Sequence, residues 1–154
     1  MDSALRYASE FYIPPVLDLI AIILFAITGA LSAAKRGYDW IGAVSIALVT
    51  GCGGGLIRDI LLNVRPVFLE HGAYIWAVLA AVLLSIYVFP LVSRMRWIFL
   101  VADSLGLAMY AVIGTQKSLD AGLGISAAIL IGTLNAIGGG LIRDILTPEE
   151  ASLL

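Results

Sequence analysis

The residues able to do chemistry are charges in apolar company. The string Gly-Gly-Gly-Leu-Ile-Arg-Asp-Ile-Leu occupies Gly53 to Leu61 and recurs at Gly138 to Leu146. In each copy an arginine follows the last glycine by three residues, Arg58 and Arg143, and an aspartate stands beside it, Asp59 and Asp144. Two more carboxylates, Asp18 and Asp103, interrupt other apolar runs. Charges at such depth face a bundle interior or water and mark pathways for ions or polar substrates. Bond-making chemistry is disfavoured, because no nucleophile–base set is visible. One cysteine, Cys52, and one histidine, His71, exclude an internal disulfide and argue against a Cys/His metal site. No cofactor is called for, and Cys52 reads as a small packing residue.

The medium follows from composition. Of 154 residues, 61% are hydrophobic and 13% charged, and the mean hydropathy is +1.03, beyond the range of an ordinary soluble domain. An integral membrane protein in a lipid bilayer is the reading. The net charge of −2 is diffuse, with no basic run to follow a phosphate backbone, which excludes nucleic acid as a partner. Ser32-Ala33-Ala34 imitates a signal-peptide cleavage site. The apolar core before it is too long for one, however, and acidic Asp2 and Glu10 stand where a basic region belongs, so a retained span is expected.

About 20 apolar residues cross a bilayer, which divides the chain into five expected spans of an all-α fold. A lead-in over 1–15 ends at Pro14-Pro15, suited to a first helical turn where a missing N–H matters least. The first helix covers 16–34 and the second 39–62; the third covers 72–92, the fourth 97–117 and the fifth 122–146. Thr147-Pro148-Glu149-Glu150 reads as a further helix start, with a Thr cap, Pro in the first turn and acids near the dipole's positive end.

The two strings lie 85 residues apart, 138 against 53, and the same offset sets Asp18 on Asp103, Gly29 on Gly114 and Gly37 on Gly122 without a gap. The chain is an internal duplication. Its units are 16–96, with three helices, and 97–154, with two helices and the beginning of a third. An odd number of spans per unit inserts successive copies in opposite directions, giving inverted repeats, an architecture of transporters and channels. Lys35, Arg36, Arg94 and Arg96 lie on one side against Arg6, Arg65 and Lys117 on the other, which places the N-terminus outside.

Three glycines in series each cost a helix interior roughly 1 kcal/mol relative to alanine. Breaks of the second and fifth helices are therefore expected at Gly53, Gly54, Gly55 and at Gly138, Gly139, Gly140. An unwound segment at that depth needs protein or water around it, so each break predicts a polar cavity. Thr50 and Asn135 stand at equivalent positions just before the glycines, as candidates to line the path. A packing role competes: Ala43, Ala47, Gly51, Gly55 and Ala128, Gly132, Ala136, Gly140 form small-residue stripes for close helix contact.

On this reading Arg58 and Arg143 open the resumed half-helices, and Asp59 and Asp144 point about 100° away around the helix, so neither arginine simply neutralises its neighbour. Asp18 and Asp103 of one repeat are expected to pair with the arginines of the other. A half-helix break offers carbonyls to a cation and N–H groups to a carboxylate, and composition does not choose between them.

The duplicated string, with Ala102-Asp103-Ser104-Leu105-Gly106-Leu107 and Gly114-Thr115-Gln116-Lys117, resembles bacterial members of the TRIC (trimeric intracellular cation) channel family. This is the same broad family as proteins carrying glycine-transporter domains. The resemblance runs over essentially the whole chain. It implies seven helices, two inverted three-helix repeats and one more, in a homotrimer of the bacterial inner membrane with a separate ion path in each protomer. It implies that kinked second and fifth helices line that path for monovalent cations, chiefly potassium, with Arg58 and Arg143 at the constriction and lipid bound alongside. The family's sixth and seventh helices have no counterpart in these 154 residues. A secondary transporter of a small zwitterion such as glycine, and a non-conducting structural membrane protein, remain the competing readings.

Overall fold

The computed structural model describes residues 14–94 and 96–148 of the chain. Its described elements are six helices: α1 (Pro15–Lys35), α2 (Trp40–Leu61), α3 (Val67–Glu70), α4 (Ala73–Arg94), α5 (Arg96–Asp120) and α6 (Ile125–Leu146). The expected helices one to five correspond to α1, α2, α4, α5 and α6, and the short α3 falls where the sequence reading had only a loop. By length and composition α1, α2, α5 and α6 can each cross a membrane. Helix α4 has 22 residues, with a shorter apolar stretch at Ala73–Tyr87. The lead-in 1–13, Arg6 and Glu149-Glu150 lie outside the described residues, as do the side chains of Arg94 and Arg96.

Local signals account for the helix ends. Pro15 opens α1 at a position where no N–H is needed. Gly37, at φ 70°, closes it: Tyr38 N–H reaches Ala33 O and Gly37 N–H reaches Ala34 O, satisfying carbonyls the helix leaves open. The matching Gly122, at φ 82°, ends α5 the same way, with Leu123 N–H donating to Ser118 O and Gly122 N–H to Leu119 O. Asn63 at φ 56° does so for α2. The Asp39 carboxylate accepts from Gly42 N–H at 2.8 Å and caps the start of α2. Thr147 finishes α6, its N–H and hydroxyl both turning back to Arg143 O, at 2.7 and 2.8 Å; the further helix start expected from Thr147 onward runs into residues outside the described ones.

Helix α1 packs against α2, α4 and α5, and α6 lies along α5 and α2. Two contacts fix directions. The Tyr38 hydroxyl, at the start of α2, donates to Leu146 O at the end of α6, so these helices run antiparallel. Lys117 near the end of α5 meets Asp18 at the start of α1, and Lys35 at the end of α1 lies over Phe99 at the start of α5, so these two are also antiparallel. Phe25 and Tyr110, ring centroids 5.2 Å apart, sit at the heart of the buried core with Ala21, Ala26, Ala47 and Val78. Outward faces carry Trp40, Ile41, Trp76 and Tyr87, as lipid-facing surfaces do.

The expected helix breaks are not there: α2 and α6 run as uninterrupted helices through both glycine triplets. The glycines serve a crossing instead. A Cβ on Gly54 would collide with the Asn135 carbonyl, and one on Gly139 with the Thr50 carbonyl, two contacts related by the same offset of 85 residues. A Cβ on Gly138 would stand 2.8 Å from Ile57 Cδ1 and 3.3 Å from Gly54 Cα. Close approach of two backbones stabilises the crossing through packing, and tertiary contact outweighs the weak intrinsic preference that glycine holds against a helix.

Candidate functional site

The charges gather in two clusters at opposite ends of the bundle. At one end the last turn of α2 presents Arg58, whose side chain is 1% exposed. Its Nε donates to Asp59 Oδ1 at 2.7 Å and its Nη1 to Asp18 Oδ1 on α1 at 3.4 Å. Lys117 Nζ on α5 stands 3.6 Å from Asp18 Oδ2. Asp59 Oδ2 in turn accepts from Val67 N–H at 3.1 Å, which ties α3 across this end. Cys52, Phe68 and Tyr110 close around the group, leaving a cavity of only about 10 Å³.

At the other end the last turn of α6 presents Arg143. Its Nε donates to Asp144 Oδ1 at 2.8 Å, and its Nη1 donates both to Asp103 Oδ1 on α5 and, at 3.2 Å, to Thr28 Oγ1 on α1. The guanidinium lies over the Phe99 ring, 5.2 Å from its centroid. This end is open. A cavity of about 450 Å³ is lined by Ser32, Lys35, Phe99, Asp103, Arg143 and Asp144, and the Asp144 side chain is 66% exposed.

Three expectations are corrected by this geometry. Each arginine pairs with carboxylates of its own unit, Arg58 with Asp18 and Arg143 with Asp103, both 40 residues apart, rather than across units. Each also engages its sequence neighbour: 100° separates the two Cβ directions, but the long arginine side chain folds sideways and brings Nε to the adjacent carboxylate. Both arginines close continuous helices instead of opening half-helices, because α2 and α6 do not stop at the glycines. Asp18 is buried within its cluster.

A neutral polar layer separates the clusters. The Tyr110 hydroxyl on α5 donates to Gly51 O on α2 at 2.5 Å, and Asn135 Nδ2 on α6 donates to Tyr110 O at 2.6 Å. Thr50, the counterpart of Asn135, returns its hydroxyl to Ile46 O at 2.6 Å in its own helix. Tyr110 and Lys117 escaped notice as site residues. The duplication carried a signal for the first, since Tyr110 falls on Phe25 and adds a hydroxyl to a buried aromatic position. Lys117 entered only as a charge for orientation and in the string Gly114-Thr115-Gln116-Lys117, with no partner expected for it. Chemically, the arrangement holds each guanidinium between two carboxylates. Among the described residues no three His, Cys, Asp or Glu stand together as metal ligands.

Comparison with known proteins agrees with this architecture. A family model described as Glycine transporter matches residues 15–90 and 100–154. A UPF0126 membrane protein of Deinococcus radiodurans is 36% identical over 139 residues, covering 90% of this chain and 65% of that protein. The UPF0126 inner membrane protein YadS of Escherichia coli K12 is 34% identical over 147 residues, covering 90% of this chain and 68% of that protein. The chain thus spans about two-thirds of the length of these relatives. The solved structure of the TRIC trimeric intracellular cation channel orthologue from Rhodobacter sphaeroides superposes with a TM-score of 0.78 at 36% identity, covering 90% of this chain and 72% of that one. On its sequence, its helices and these matches, the chain is an integral membrane protein and belongs to the TRIC family, the family of the Glycine transporter model.

Proposed function

We propose that this chain forms a channel for monovalent cations, potassium first among them, assembled as a homotrimer with an ion path in each protomer beside α2 and α6. One observation carries the reading. The arginines at both ends of the bundle, which would repel a cation if free, are each held by two carboxylates, and the layer between them offers neutral oxygens. A pore whose fixed positive charges are matched by carboxylates admits cations. The solved relative is a trimeric cation channel, which supports the same conclusion. In this reading α4 is the fifth span. The units 16–96 and 97–154 are inverted repeats with the N-terminus outside, and Arg58 and Arg143 are the movable elements at the two mouths. Planar-bilayer recordings of the purified protein test it: potassium currents are expected, with Arg58→Ala or Arg143→Ala altering open probability or conductance. Unchanged currents from both variants would remove the arginines from gating.

A second reading has its own observation. The 450 Å³ cavity brings Lys35 and Arg143 together with Asp103 and Asp144, and groups of both signs suit a small zwitterion such as glycine. Saturable glycine uptake by proteoliposomes, without potassium current, would select a secondary transporter.

A further inference from the structure

Arg143 takes a partner from the other unit that the duplication does not repeat. Its Nη1 donates to Asp103 Oδ1 and, at 3.2 Å, to the Thr28 hydroxyl on α1, 115 residues away in sequence. Both N–H groups of that nitrogen are thereby used. Thr28 spends its own hydroxyl hydrogen on Phe25 O, at 3.0 Å in the same helix. Its oxygen is left as an acceptor facing a charged donor, which makes one of the stronger kinds of hydrogen bond. The offset of 85 residues sets Ile113 in the matching place of the second unit, buried and without a hydroxyl. The contact therefore belongs to one end of the bundle.

Its position says what it does. Thr28 is fully buried between Ile27 and Gly29 of α1, where a valine of the same shape would avoid the cost of burying a hydroxyl. Asp103 and Asp144 line the cavity beside Arg143, so their bonds alone let the guanidinium follow them toward it. The Thr28 bond draws the same group toward the core. With Asp144 on Nε, Asp103 and Thr28 on Nη1 and the Phe99 ring against its face, the planar guanidinium is held in one orientation.

We infer that Thr28 is a positioning residue, a latch from the first unit that holds the Arg143 guanidinium back from the ion path. The inference deepens the channel reading, and its effect on current rests on that reading. Bilayer recordings and thermal unfolding in detergent test it, on wild type, Thr28→Val, Thr28→Ser, Arg143→Ala and the T28V/R143A pair. A released guanidinium spends more time in the path and repels the permeant cation. T28V is therefore expected to lower potassium open probability about tenfold, the equivalent of roughly 1.4 kcal/mol for one hydrogen bond to a charged group. T28S keeps the hydroxyl and is expected to conduct as wild type does. In the R143A background T28V is expected to change nothing, because a latch acts only through what it holds. A T28V channel equal to wild type, a T28S loss as large as that of T28V, or an equal T28V loss with and without Arg143 overturns the latch and leaves the channel reading intact. A wild type without current defeats the channel reading. The unfolding midpoints, which need no current, still decide the contact: a T28V shift that disappears in R143A sustains it, and additive shifts overturn it.

Discussion

Arg58 and Arg143 share one sequence context and meet different surroundings. Arg58 is enclosed with Asp18 and Asp59 in a nearly closed space, and Lys117, its side chain 35% exposed, reaches Asp18 from the edge. Removing one partner of a buried pair leaves an uncompensated charge, so Arg58→Ala is expected to destabilise the protein by about 3–5 kcal/mol. Arg143 borders the open cavity, where Asp144 already meets the surroundings. Arg143→Ala is therefore expected to be clearly milder, and thermal unfolding of the two variants in detergent gives the order directly. Equal losses would show that the two ends are buried alike. Sequence alone marked all six of these arginines and aspartates as belonging together. It misassigned the pairs, because 100° of helical offset ignores how far a guanidinium travels and because partner choice depends on packing at the crossing.

At the scale of elements, the glycine triplets were legible as special but not as to why. Glycine spacing serves equally a helix that opens and a helix that approaches another backbone, and only the partner helix decides. The two accounts predict different variants. If the triplet were a hinge, each glycine would matter; at a crossing, only those facing the other helix do. Gly139→Ala drives a Cβ into the Thr50 carbonyl and is expected to cost about 1–3 kcal/mol. Gly140, where a Cβ would lie 3.7 Å from Arg143 Nη2, accepts alanine with ordinary contacts. Gly140→Ala is expected to be neutral or stabilising by up to about 1 kcal/mol, from better helix propensity alone. Chemical-denaturation midpoints for the pair would decide between the two accounts.

The short helix α3 is a second element the sequence did not disclose, since Val67-Phe68-Leu69-Glu70 is too short for a periodic signal. Its tie to the bundle is the Val67 N–H bond to Asp59. Val67→Pro removes that donor at the first helical position, where proline is tolerated. The segment 64–72 is expected to exchange amide hydrogens faster in the variant while α2 keeps its protection; unchanged exchange would mean that side-chain packing alone holds α3 in place.

The molecule as a whole is built on two matched units of sequence. The duplication, the offset of 85 residues and the helix-ending glycines Gly37 and Gly122 could all be read from the chain, and with them most of the helical plan. What packs over each cluster could not: Asp59 is tied to the four-residue α3 through Val67 N–H, and so short an element leaves no periodic signal. Charge matching at both ends, with neutral oxygens between, is the physical core of the proposed cation path. Reversal potentials in a bilayer under a potassium chloride gradient test it most directly. A reversal close to the potassium equilibrium potential is predicted; a reversal at the chloride potential, or no current beside saturable glycine uptake, would contradict it.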